Sequence, residues 1–88
     1  MTVGVMGLRY YTFKEPQSNE TVILKREPSN PYDSKAVAVY NQQSEKVGYV
    51  SKSYDVNGKV FNLLRKQKVS ATVVTVLGGM MIVYIELA

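Results

Sequence analysis

The sequence predicts a mainly β domain with one or two short helices, folded as a small, partly open barrel of OB-like or SH3-like type. Three observations lead there. Six short apolar or alternating runs are separated by segments rich in Pro, Gly, Asn and Ser. Just one stretch, around Val56 to Lys66, carries apolar residues at helical spacing. At 88 residues the chain suits a single domain spanning 1–88, with a small but viable core. Many short strands with one helix favour a closed or nearly closed β architecture over a layered α/β one.

Each element has its own reason. Val3 to Tyr11 mixes apolar and aromatic residues with Gly4 and Gly7, and reads as a first strand with a bulge. Lys14 to Asn19 is a polar loop. Thr21 to Arg26 alternates, with Val22 and Leu24 on one face and Thr21, Ile23 and Lys25 on the other. Glu27 to Lys35 contains two prolines, which lack the amide a ladder needs, so it is a loop. Ala36 to Tyr40 and Lys46 to Ser51 form a hairpin around the turn Asn41 to Glu45. Val56, Val60, Phe61, Leu63 and Leu64 define the apolar face of the helix, and Lys66 and Lys68 complement its dipole. Val69 to Leu77 and Met80 to Leu87 flank Gly78-Gly79, a two-residue hairpin signal. Pairing Leu77 with Met80 places Val76, Met81, Val74, Val83, Thr72 and Ile85 on one face. The other face is also apolar, so it needs a cover: the helix, barrel closure or a second subunit.

Composition narrows function mainly by removing options. The chain has no cysteine and no histidine, so thiolate zinc sites, disulfides, imidazole ligands and the usual general base are all missing. Its acids are scattered through loops with no metal-ligand spacing, and neither a Walker loop nor a dinucleotide fingerprint is present. The first expectation is therefore no metal, no cofactor and no catalysis, with a metal-dependent nuclease using the scattered carboxylates as the third reading after the two below. No run is long and apolar enough for a membrane span, and Met1-Thr2-Val3-Gly4 lacks the basic start of a signal peptide. A cytoplasmic, nucleoid-associated protein is the simple expectation. The net charge of +4 is consistent with a polyanionic partner if the cations converge.

Two segments concentrate binding chemistry. Arg9, Tyr10 and Tyr11 combine a cation with two rings; in a strand Arg9 and Tyr11 share one face and Tyr10 takes the other. They fit a strand end as well as a ligand surface. In Ser29-Asn30-Pro31-Tyr32-Asp33, asparagine followed by proline favours a turn. Tyr32 must either plug into the core or stand exposed for a ligand. Asp33 can cap a local amide or accept from a ligand hydroxyl. Tyr49 lies within the fourth strand and Lys52 just beyond it, where a solvated strand-end charge is the plainer role.

At these residues the chain resembles the HIRAN domain. The matching words, in order, are Gly7-Leu8-Arg9-Tyr10-Tyr11, Leu24-Lys25-Arg26-Glu27-Pro28-Ser29-Asn30-Pro31-Tyr32-Asp33, Ala36-Val37-Ala38-Val39 and Val47-Gly48-Tyr49-Val50. The likeness runs from about Val3 to Lys52 and weakens beyond. It implies a modified OB-like barrel that binds single-stranded DNA and recognises a free 3′ end. By position, Arg9, Tyr10 and Tyr11 look like base-stacking and phosphate contacts. Asn30, Tyr32 and Asp33 look like the wall of a 3′-end pocket, with Asp33 accepting from the terminal hydroxyl, and Lys52 looks like a phosphate contact. Ser29 stands where members often have a second asparagine, and Tyr49 stands where a histidine is also found.

The expectation is a non-catalytic single-stranded DNA-binding module for replication or repair, with a helicase, ATPase or nuclease as its protein partner. The alternative is a protein-interaction module that forms a homodimer or docks on such a partner through its C-terminal hairpin.

Overall fold

The protein is described from a computed structural model that covers residues 1–8 and 15–87. Its elements are β1 (Thr2–Met6), β2 (Thr21–Glu27), β3 (Ala36–Tyr40), β4 (Lys46–Val50), a 3₁₀ turn at Ser53–Asp55, α1 (Val56–Lys66), β5 (Val69–Leu77) and β6 (Met80–Leu87). The strands close into one antiparallel barrel in the order β1-β4-β3-β2-β5-β6. Closure gives every strand a partner on both sides, which limits the free edges through which a small all-β domain associates.

The closure is uneven. β2 meets β5 through two register pairs, Thr21↔Thr72 and Val22↔Ala71. Beyond Val22 the two strands part. The resulting cleft, of about 350 Å³, is lined by Leu24, Arg26, Leu64 and Val69 among others. The partial opening expected from sequence thus lies at this thin seam of a complete ring.

Valines dominate the interior. Val5, Val37, Val39, Val47, Val73 and Val83 are fully buried, with Met81. These β-branched side chains are stiff at χ1 and pack well on a pleated surface. α1 adds Val60 and Phe61 to this cluster, so its apolar face is buried as the spacing predicts.

The β5–β6 hairpin corrects one expectation. Leu77 does pair with Met80, and Gly78 and Gly79 take φ of 55° and 82°, as a tight hairpin turn requires. Register then shifts between Val73 and Thr75, so Val73, not Val74, lies opposite Val83. The bulge flips every residue before it. Ala71 and Val73 point inward beside Met81, Val83 and Ile85, while Val74 is exposed. Consecutive valines at 73 and 74 hide this flip, because either one satisfies the apolar pattern. The inner face packs in the barrel core, while the other face, expected to need a cover, leaves Val74, Leu77 and Tyr84 exposed.

β1 ends at Met6; the portion of the predicted first strand over 9–14 lies outside the described residues. Where β4 crosses β1, Gly48 makes the approach. A Cβ there would collide with the Met6 carbonyl oxygen and lie 3.1 Å from Val5 Cγ1. Gly48→Ala is therefore expected to destabilise the barrel by about 1–3 kcal/mol, as overpacking does. Urea unfolding should show a lower midpoint with an unchanged slope.

Candidate nucleic-acid interface

The loop after β2 is built by Asn30. Its Oδ1 accepts hydrogen bonds from the backbone amides of Tyr32 (2.9 Å) and Asp33 (3.1 Å). This is an Asx-type turn, which Pro31 pre-sets by fixing its own φ. The Asn30 amide group in turn donates to Glu27 Oε1 at 3.1 Å. Asn30 thus ties the loop to the end of β2.

Glu27 is the hub of a larger network. Tyr49 donates its hydroxyl to Glu27 Oε1 at 2.8 Å, and Lys46 Nζ donates to Glu27 Oε2 and to the Tyr49 hydroxyl, each at 2.9 Å. The Lys46 ammonium also lies 4.9 Å from the Tyr49 ring centroid and 5.9 Å from that of Tyr40. Burial pushes the Glu27 carboxyl up, but hydrogen bonds from Lys46, Asn30 and Tyr49, with the Lys46 charge, outweigh it and hold it below the ordinary glutamate range. Hydrogen bonds to Tyr49 and Glu27 raise Lys46 above the usual lysine value. Tyr49 is raised too, by burial first and then by its bond to Glu27. Glu27, Pro28, Ser29, Asn30, Pro31 and Tyr49 border an open hollow of about 540 Å³. The Tyr49 hydroxyl therefore braces the loop from β4.

Asp33 stands at the far end of the loop, half-buried. Its Oδ1 accepts from the Lys35 amide at 2.9 Å and its Oδ2 from Asn57 Nδ2 at 2.7 Å. Each carboxylate oxygen can accept more than one hydrogen bond, so acceptor capacity remains. Asn57 is itself buried in the first turn of α1, and its amide donates to the Ser51 carbonyl at 3.1 Å. One hydrogen bond thus joins the β2–β3 loop to the helix that follows β4.

The remaining predicted residues fall into two groups. Tyr32 is 90% exposed, which answers the sequence question: the ring does not plug the core. Lys52, also exposed, precedes the 3₁₀ turn, and its carbonyl accepts from the Asp55 amide at 3.1 Å. Asn30, Tyr32, Asp33, Tyr49 and Lys52 therefore lie on two segments that meet through Asp33 and Asn57. Arg9, Tyr10 and Tyr11 lie outside the described residues.

Sequence reading missed Glu27, Lys46, Asn57 and Tyr54. Asn57 left a signal: with Val60, Phe61 and Leu64 it occupies the i, i+3, i+4, i+7 stripe, where a polar residue needs a partner. Tyr54 left none. It is 93% exposed, and it and Asp55 both take left-handed backbone, at φ 54° and 58°. For residues with a side chain this conformation costs about 1–2 kcal/mol each.

Among the described residues, no three acidic side chains come together as a metal site would need. No helix among them is long and apolar enough to cross a membrane.

Fold and site define a small antiparallel barrel that presents a braced polar loop beside exposed aromatic and basic side chains. The chain belongs to the HIRAN domain family, whose profile matches residues 1–79. Membership implies a DNA-binding module rather than a catalytic domain. Over 48 residues, or 54% of this chain, it is 52% identical to the helicase-like transcription factor of Oryctolagus cuniculus. It is 41% identical over 50 residues, or 57% of the chain, to a putative SWI/SNF-related chromatin regulator, subfamily A member 3-like 1, of Arabidopsis thaliana. The chain spans about 5% of the length of the first of these relatives and 6% of the second. Its structure matches the crystal structure of the HIRAN domain of human HLTF with a TM-score of 0.82 at 30% identity, covering 97% of this chain and 71% of that one. It also matches a protein from Lactobacillus plantarum with a TM-score of 0.72 at 28% identity, covering 97% and 91%.

The Glu27 network sets an acid limit. A carboxylate with a depressed folded pKa contributes stability that is present above its unfolded value, roughly 4.3, and is lost as pH falls through the lower folded value. Unfolding free energy should therefore drop below about pH 4.5. Glu27→Gln should lose about 1–2 kcal/mol at pH 7 and show a flatter acid dependence. Urea titrations from pH 7 to 3 check both.

Proposed function

We propose that this domain grips single-stranded DNA near a free 3′-hydroxyl end, without catalysis, in replication or repair. One observation carries the reading: the Asp33 carboxylate is fixed from two sides, by Lys35 and Asn57, next to the exposed Tyr32 ring. A carboxylate accepts a hydrogen bond from a terminal hydroxyl but repels a phosphate in the same place. Tyr32 supplies a face on which a base of any sequence stacks. Lys52 takes a phosphate, and Arg9, Tyr10 and Tyr11 extend the grip. Asn30 and Tyr49 act through the loop they hold, with the Tyr49 ring at the border of the hollow.

In this role the domain is an end-reader for a motor or nuclease that does the chemistry. The matched relatives include helicase-like proteins of which this chain covers a small part, which supports a helicase or ATPase partner. Its place of action would be the nucleoid.

A second reading rests on the outer face of the β5–β6 hairpin. Val74, Leu77 and Tyr84 are all exposed there. Such a patch suits a homodimer or a docking contact on a partner protein. Light scattering across a concentration series separates the two: a constant monomer mass counts against self-association.

Fluorescence anisotropy tests the first reading. Short strands ending in 3′-hydroxyl should bind more tightly than 3′-phosphate or circular strands. Equal binding to all three would remove the end-reader role, and no binding at low salt would remove DNA binding itself. Asp33→Ala should reduce the hydroxyl preference more than the total affinity. Affinity should fall with salt, with a log–log slope of about −0.7 per neutralised phosphate.

A further inference from the structure

We infer that Tyr54 is a second base-stacking residue, which joins Tyr32 in the grip around Asp33 and receives the nucleotide next to the bound strand end. The inference rests on the single-strand reading above and adds a residue that neither the motif words nor the charge pattern marked.

Tyr54 contributes little to the fold. At 93% exposure its ring buries almost nothing, so it adds no core packing. Its backbone sits at φ 54°, ψ 29°, a conformation that disfavours a side chain, and Asp55 repeats it at φ 58°, ψ 29°. Glycine or asparagine would suit both positions better. A bulky ring on a strained, exposed turn is thus an expense to folding that points to a use outside it.

The surroundings say what that use is. Tyr54 is two residues from Lys52 and three from Asn57, whose side chain holds Asp33 at 2.7 Å. The turn is pinned at both ends: the Asp55 amide donates to the Lys52 carbonyl, and the Asn57 amide to the Ser51 carbonyl. The ring stands in solvent while those bonds hold the backbone of the turn. Tyr32, immediately before Asp33, is comparably bare at 90% exposure. The Asp33–Asn57 bond therefore joins two segments that each carry a solvent-facing ring, Tyr32 one residue from Asp33 and Tyr54 three residues from Asn57. A strand end seated at Asp33 would meet a base-sized aromatic surface from each segment, with Lys52 near its phosphates. Ring stacking is indifferent to base identity, so this adds grip without sequence preference.

The test uses the whole chain with a fluorescein-labelled ten-nucleotide oligothymidine carrying a 3′-hydroxyl. A second strand carries 2-aminopurine next to its 3′-terminal nucleotide, where stacking quenches fluorescence. Tyr54→Gly should weaken binding roughly 5- to 150-fold and abolish the quench, while the melting temperature stays level or rises because strain is relieved. Tyr54→Phe should keep both affinity and quench. If Tyr54→Gly binds and quenches like the parent chain while Tyr32→Ala weakens binding, the stacking role of Tyr54 is overturned and the DNA reading stands. If Tyr54→Gly weakens binding only by lowering the melting temperature, a structural role replaces the stacking one. Failure of the parent chain to bind either strand would overturn the DNA reading and this inference with it.

Discussion

The Glu27 carboxylate is the joint between barrel and loop. It ends β2, yet all three of its side-chain donors come from elsewhere: Lys46 and Tyr49 on β4 and Asn30 in the loop. Asn30 passes the constraint on to the amides of Tyr32 and Asp33. Asp33 passes it to Asn57 on α1. The path therefore runs from one barrel strand, through a loop with two prolines, into the helix. A surface loop of this composition would otherwise sample many conformations, and ordering each residue costs about 1–2 kcal/mol. The network meets part of that cost at the time of folding. What remains for a ligand to order is the exposed side chains of Tyr32 and Lys52.

The sequence and the structure agree most closely where one periodicity dominates. β5, β6 and α1 lie where alternation and helical spacing put them, because each has one mainly buried face and a clear stop; β3 is buried on both faces, and its short apolar run between turn residues marks it. The miss in β5 has a specific cause. A bulge changes which side of the strand faces inward, and Val73-Val74 gives no polar residue to mark the change. The loop was legible as a turn and as a site, since Asn30-Pro31 is strong turn chemistry and an aromatic between proline and aspartate is unusual there. Its bracing was not legible. Glu27 and Lys46 are 19 positions apart, and their pairing reaches across β3, which lies between β2 and β4 in the sheet. Tyr54 was invisible for another reason: left-handed backbone at a non-glycine residue leaves no mark in composition.

Glu27 and Asp33 also divide the acid chemistry of the loop between them. Glu27 accepts from three side-chain donors, one of them a cation, and its ion pair with Lys46 is about three-quarters shielded from solvent. That makes it a structural carboxylate, whose removal leaves Lys46 without its acid partner. Asp33 is half-buried and has two donors to its side chain, neither of them charged. Two acids six positions apart, one ending β2 and one in the loop after it, are thereby separated by environment, one paired with a cation and one held by neutral donors.

That difference sets how selectivity arises in the proposed role. Stacking on exposed rings gives about 1–3 kcal/mol per base and does not distinguish a strand end from its interior. The cations behave likewise, because every internucleotide link carries the same charge. Selection for an end therefore has to come from a group that penalises a phosphate, and Asp33 is the carboxylate placed to do so. A hydrogen bond to a charged group contributes about 1.5–3 kcal/mol, similar to one stacked base, so a hydroxyl alone would tip the balance modestly. Repulsion of a phosphate adds to that on the other side of the comparison, which is how a discriminating site exceeds what its attractive contacts supply. Because Asp33 is held by neutral donors, its charge stays uncompensated toward the ligand. Were Asn57 a lysine, the same carboxylate would be neutralised, and the site would lose its means of telling a hydroxyl from a phosphate.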